Sequence, residues 1–146
     1  MAGIMISRLE QRCIDKGLKM TGQRRVIARV LSDSSDHPDV EMVHRRANEI
    51  DPGISIATVY RTVRLFEEAS ILDRHDFRHG RARYEQVPEQ HHDHLIDIQS
   101  GRVVEFQSPE IEELQRKIAA DRGYRLVDHR LELYAVPLTS APDRRK

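Results

Sequence analysis

His91-His92-Asp93-His94 sets four potential metal ligands in a row, and Leu95, Ile96 and Ile98 follow them. The apolar tail reads as a buried β-strand rather than a loop. Successive side chains on a strand point to opposite faces. His91 and Asp93 would therefore face one way, and His92 and His94 the other. Each pair can start a separate metal site only if other parts of the chain complete it. Imidazole and carboxylate ligands without a thiolate suit iron(II), manganese, cobalt, nickel or zinc. The competing reading is a solvated His-rich turn, so partners elsewhere decide the matter.

A chain of 146 residues holds one or two small domains. Charged residues make up 33% and hydrophobic residues 38%, which fits a soluble globular protein with no composition signal for general disorder. No apolar run approaches the roughly 20 residues of a membrane span. The N-terminus lacks the layout of a secretory signal, so a cytoplasmic location is expected. Cys13 is the single cysteine, which excludes an intrachain disulfide and a Cys-based zinc cluster within one chain. Its place in an apolar helical pattern suits a small buried hydrophobe.

Net charge is zero but unevenly placed. Residues 1–32 carry seven Lys and Arg against two acids, and residues 89–146 carry nine basic against eleven acidic side chains. A basic front and a mildly acidic back suit a polyanion-binding domain joined to a different module.

The front half reads as helices. Residues 8–16 place Leu9 and Cys13 on one stripe and stop at Gly17. Thr21 caps a second helix with Val26, Ile27, Val30 and Leu31 inward. Asp39 caps a third over 40–50, with Val40, Val43, Ala47 and Ile50 inward. After the turn Asp51-Pro52-Gly53, Ser55 caps a fourth over 56–69. That helix turns Ile56, Val59, Val63 and Phe66 inward and Thr58, Tyr60, Arg61 and Arg64 outward. Two strand-like runs, 72–77 and 81–87, flank Arg78-His79-Gly80 and form an arginine-bearing hairpin. Together these elements predict a winged helix-turn-helix domain over 1–87.

Residues 88–90 form a hinge, and the pattern beyond them becomes β-rich. A strand over 91–98 turns at Ser100-Gly101 into 103–106. Ser108-Pro109-Glu110 starts a helix with Ile111, Leu114 and Ile118 on its stripe, and Gly123 stops it. A last strand is expected over 124–136. The fold class is thus α+β, with an N-terminal winged helix-turn-helix followed by a small α/β module over 91–138 and a polar tail over 139–146. About 50 residues are marginal as a lone domain, so dimerisation through the sheet is expected.

The outward face of the fourth helix is built for DNA. Arginine pairs with guanine or phosphate, and a tyrosine ring packs on a thymine methyl. Lys19 lies where it would reach a backbone or a minor groove. For the metal, His37, Glu85 and Glu105 would join His92 and His94 in a site drawn from both domains. Glu112 and His129 would join His91 and Asp93 in a second site within the back half. Glu112 also fits a solvated helix residue, and His129 a satisfied core histidine. His44, His75 and His79 read as surface residues.

The stretch Ser55-Ile-Ala-Thr-Val-Tyr-Arg61, followed by His91-His-Asp-His-Leu-Ile96, closely resembles the ferric uptake regulator family of bacterial metal-dependent repressors. The likeness runs from about residue 12 to 136. It implies a winged-helix DNA-binding domain, a dimerisation domain, and a homodimer that binds palindromic double-stranded DNA operators when loaded with divalent metal. It implies a regulatory site at His37, Glu85, His92, His94 and Glu105, and an auxiliary site at His91, Asp93, Glu112 and His129. Lys19, Tyr60 and Arg61 match positions that members use on DNA. Many members hold a structural zinc with two Cys-x-x-Cys pairs. Here Asp97 and Ser100 stand in the first pair and the second is missing, so no structural four-cysteine zinc is expected. The thiolate-free regulatory set leans towards Fe2+ or Mn2+, with Zn2+ possible in vitro and a zinc-responsive regulator as the alternative. A metal-dependent hydrolase is the competing class, but no nucleophile motif accompanies the ligands. A constitutive architectural DNA-binding protein is a third reading.

Overall fold

The computed structural model describes residues 6–77, 80–88 and 91–140. They divide into two compact units, Met1–Val87 and Pro88–Lys146. Arg78 and His79 of the hairpin turn, Glu89 and Gln90 of the expected hinge, and residues 141–146 of the expected tail lie outside the described residues.

The first unit has four helices, α1 (Arg8–Asp15), α2 (Gly22–Asp33), α3 (Val40–Ile50) and α4 (Ile56–Glu68). Each starts at a side chain that accepts from a first-turn amide: Ser7 from Glu10, Thr21 from Arg24, Asp39 from Met42 and Ser55 from Thr58. Those bonds satisfy amides that the helix cannot satisfy itself. Gly17, after α1, has a φ of +77°, the left-handed region that favours glycine at a helix end. Strands β1 (Leu72–His75) and β2 (Arg83–Gln86) pair antiparallel and form the wing.

Leu9, Cys13, Ile27, Leu31, Val43, Val59, Val63, Phe66 and Leu72 close one core among these elements. Two residues assigned to inward faces are exposed, Ile50 and Ile56. They end α3 and begin α4, where each stripe runs off the core. Ile54, in the turn between them, is buried in their place.

The second unit has strands β3 (Asp93–Asp97) and β4 (Val103–Phe106), helix α5 (Pro109–Asp121) and strand β5 (Glu132–Ala135). Its sheet runs β4-β3-β5, antiparallel on one side of β3 and parallel on the other. Ser108 caps α5 by accepting from Ile111, with Pro109 at the first helical position.

The last strand is shorter than the alternation over 124–136 predicts. Its register begins with Glu132 beside His94, and β3 offers only five residues to pair with. Tyr124 is 74% and Val127 84% exposed, so the alternation there has no sheet beneath it.

Candidate metal centres and nucleic-acid interface

In the first unit the metal candidates sit where the α2–α3 connection meets the wing. His37 has a φ of +54°, uncommon for any residue but glycine. Its neighbours hold it there. Arg83 donates from Nε to the His37 carbonyl and from a terminal nitrogen to the Asp36 carbonyl, both at 2.6 Å. The Tyr84 amide donates to the Pro38 carbonyl at 3.0 Å. Arg46 grips the Asp36 carboxylate with two bonds, 2.9 and 2.6 Å, and that grip holds the carboxyl below its ordinary range. Burial lowers the Arg83 pKa from its usual value.

The His37 ring is thereby fixed at 2% exposure, with Nε2 2.8 Å from Glu85 Oε2. The other oxygen of Glu85 lies 2.7 Å from His75 Nε2. His75 is therefore not a surface residue: its side chain is 13% exposed and stacks on Phe77. His44 is half-buried as well, with Nε2 3.0 Å from the Ile54 carbonyl. His79 lies outside the described residues.

In the second unit the candidate donors at the start of β3 and just before it point to two faces. On one face His94 is buried and faces Glu105 across β4, and the His92 ring packs edge-on against it with centroids 5.0 Å apart. His92 Nε2 lies 3.5 Å from Glu105 Oε1.

On the other face Asp93 is 1% exposed. Its Oδ1 is 3.0 Å from both His91 Nε2 and His129 Nε2, and those two nitrogens are 3.0 Å apart. Ligand atoms bound about 2.1 Å from one ion at right angles stand about 3 Å apart, so this triangle fits a divalent cation. Asp93 Oδ2 is buried with no hydrogen-bond partner among the described residues. A buried carboxylate oxygen in that state is costly unless a cation compensates it. Glu112, on the first turn of α5, is not part of the cluster that gathers His91, Asp93 and His129.

No thiolate competes for metal. Cys13 is fully buried, and burial pushes its pKa up to about 11. Asp97 and Ser100 close a turn instead. Asp97 accepts from the Gln99 amide at 2.9 Å and from the Ser100 hydroxyl at 2.8 Å, which lowers its pKa.

The face of α4 that reads as nucleic-acid-binding is open. Tyr60, Arg61 and Arg64 are exposed and Thr58 half-buried. Thr58 Oγ1 accepts from the Ser55 hydroxyl at 3.0 Å and from Arg61 at 3.3 Å, so the helix cap also steadies that guanidinium. Arg64 pairs with Glu68 at 3.2 Å. Lys19 is exposed ahead of α2, and its carbonyl accepts from Arg24 at 2.7 Å. A cleft of about 920 Å³ runs between α4 and the wing, lined by Tyr60, Arg61, Arg64, Arg74 and Arg81 among others. Arg74 and Arg81 do not stand out in the sequence. The signal there is the arginine content of the hairpin, and only the folded hairpin shows which of its arginines face this cleft. Arg81 forms an ion pair with Glu41 of α3.

The Ferric uptake regulator family model matches residues 15–134. This chain belongs to that family. A Ferric uptake regulation protein of Rhizobium leguminosarum bv. viciae is 66% identical over 130 residues, which cover 89% of this chain and 92% of that protein. A solved zinc-bound manganese uptake regulator superposes with a TM-score of 0.79 at 65% identity, covering 89% of this chain and 98% of that one. The ferric uptake regulator of Pseudomonas aeruginosa, solved with manganese, gives a TM-score of 0.74 at 34% identity, covering 90% and 99%. As a ferric uptake regulator family member the chain is a metal-dependent transcription regulator and not an enzyme. Among the described residues no helix is long and apolar enough to cross a membrane.

Proposed function

We propose that the chain is a homodimeric, cytoplasmic repressor of metal-uptake genes that binds palindromic operators when loaded with Fe2+ or Mn2+. The observation that carries this reading is the split of one thiolate-free donor set. His37 and Glu85 are paired in the first unit, and His92, His94 and Glu105 are grouped in the second. Residues 1–87 form the DNA-binding domain and 91–138 the dimerisation and metal-binding domain. A divalent ion held by these five residues would supply a link between the domains. Metal would then select one orientation of the winged-helix domains.

Imidazole and carboxylate donors favour Fe2+ or Mn2+, and the manganese named for two relatives fits that choice. The zinc in one relative's name keeps a zinc-responsive regulator as the second reading. His91, Asp93 and His129, with Glu112 if its side chain swings in, form the auxiliary site. Lys19, Thr58, Tyr60, Arg61 and Arg64 meet the DNA.

The test is an operator titration with each metal in turn, on wild type, His37→Ala and Glu85→Ala. Both variants should remain folded dimers and lose metal-stimulated binding. Normal activation of either by iron or manganese would remove these residues from the switch. Strongest activation by zinc would favour the second reading.

A further inference from the structure

Strand pairing sets Asp73 of β1 directly opposite Glu85 of β2, and places His75 two residues further along β1. All three side chains therefore share one face of the wing. The opposite face carries Leu72 and Tyr84 into the core. Like charges directly across an antiparallel pair are destabilising. Here the conflict is half resolved. Glu85 offers one oxygen to His75 and the other to His37, at 2.7 and 2.8 Å. The Asp73 carboxylate has no hydrogen bond or ion pair among the described residues, although it is half-buried. One ligand atom from each of Asp73, His75 and Glu85 lies within 4.8 Å of the others. Ligands on opposite sides of a six-coordinate ion stand about 4.4 Å apart, so a small side-chain movement would close the set.

We propose that Asp73, His75 and Glu85 form a further divalent-cation site wholly within the winged-helix unit. One imidazole and two carboxylates suit Mn2+ or Fe2+, with water in the remaining positions. The site is separate from the two sites proposed above and shares only Glu85 with one of them. Because Glu85 Oε1 faces His75 and Oε2 faces His37, one carboxylate has an oxygen for each site. The wing, which faces α4 across the cleft, would then carry its own ion. The plain alternative is that His75 merely orients Glu85 by a hydrogen bond.

The experiment uses full-length, metal-stripped protein and Mn2+ alone, with free Mn2+ followed by electron paramagnetic resonance. A His92→Ala/His94→Ala/His129→Ala variant disables the other two proposed sites. It should still take up one Mn2+ per chain, and adding Asp73→Asn should weaken that uptake at least about tenfold. In the otherwise wild-type chain, Asp73→Asn should raise the thermal midpoint of the metal-free protein and shrink the further gain that Mn2+ gives. Sensitivity to His75→Gln without sensitivity to Asp73→Asn would leave only the orienting role and overturn the proposal. No Mn2+ uptake by the triple variant would overturn it equally. Failure of the switch reading shows elsewhere, as operator binding that is indifferent to His92→Ala/His94→Ala.

Discussion

Arg83 holds an imidazole on a left-handed backbone at position 37, where a glycine would adopt the angle but bring no donor. Its guanidinium spans the Asp36 and His37 carbonyls. Hydrogen bonds to a charged group contribute about 1.5–3 kcal/mol. Arg83→Met should therefore lower the thermal midpoint. It should also weaken Mn2+ binding about tenfold, since the groups that orient a ligand tune its affinity. A lower midpoint with unchanged Mn2+ affinity would reduce Arg83 to a fold residue. Asp36 adds a pH dependence. Arg46 holds its carboxyl below the ordinary 3.8, so the pair's contribution is complete above that pH and fades as pH falls through the lower folded value. The stability gap between wild type and Arg46→Met, read from urea midpoints, should hold above pH 3.8 and narrow below it. A gap independent of pH down to full protonation would dissociate Asp36 from Arg46. None of this could be read from the sequence. The residue type marks His37 as a candidate ligand, but its backbone angle and its Arg83 support come from contacts 46 positions apart. His75 passes for a surface residue in the sequence for the same reason, since alternation says which face a strand residue shares and not what covers that face.

At the scale of elements, the helices were legible because their ends are written in local chemistry. Thr21, Asp39, Ser55 and Ser108 each stand one residue before a helix and each accept from the amide three residues on. The final strand was not, because alternation over 124–136 continues past the point where β3 ends. A strand needs a neighbour, and the neighbour's length is not local information. The alternation around His91–His94 puts His91 and Asp93 on one face and His92 and His94 on the other; in the structure Asp93 meets His91 and His129, while the His92 ring packs on His94. Helix α4 carries its own prediction. Arg61→Ala should weaken operator binding and reduce the salt slope by about one if the contact is a phosphate, or relax base preference if it is guanine. Tyr60→Phe keeps the ring and should be mild if a thymine methyl is the target. Gel-shift titrations at several salt concentrations separate these outcomes. Unaltered affinity in both Arg61→Ala and Tyr60→Ala would move the interface off α4.

The whole molecule shows an imbalance between its units. The first buries a full core, yet in the second Ile96 is the one hydrophobic side chain among the described residues that is buried, and α5 buries none. Val104, Leu114, Ile118 and Leu133 remain exposed. Their apolar character is plain in the sequence, but nothing local says that one chain cannot cover them. Exposed apolar side chains in this number on a domain of about 50 residues call for a partner surface. In the proposed homodimer that partner is a second copy. With Asp97 and Ser100 bonded to each other and no thiolate in the second unit, apolar burial must hold the two copies together. Each Leu or Ile fully buried stabilises by about 1.5–3 kcal/mol before ordering costs. Leu114→Asp with Ile118→Asp would place four charges in a two-fold interface. It should yield monomers by light scattering and abolish operator binding even at saturating Mn2+. Chelation of the wild type should do the opposite, leaving the dimer and its circular dichroism unchanged while operator affinity falls. Monomers on chelation would make metal the clamp and not the switch. A doubly substituted chain that stays dimeric would put the interface on another face of the second unit.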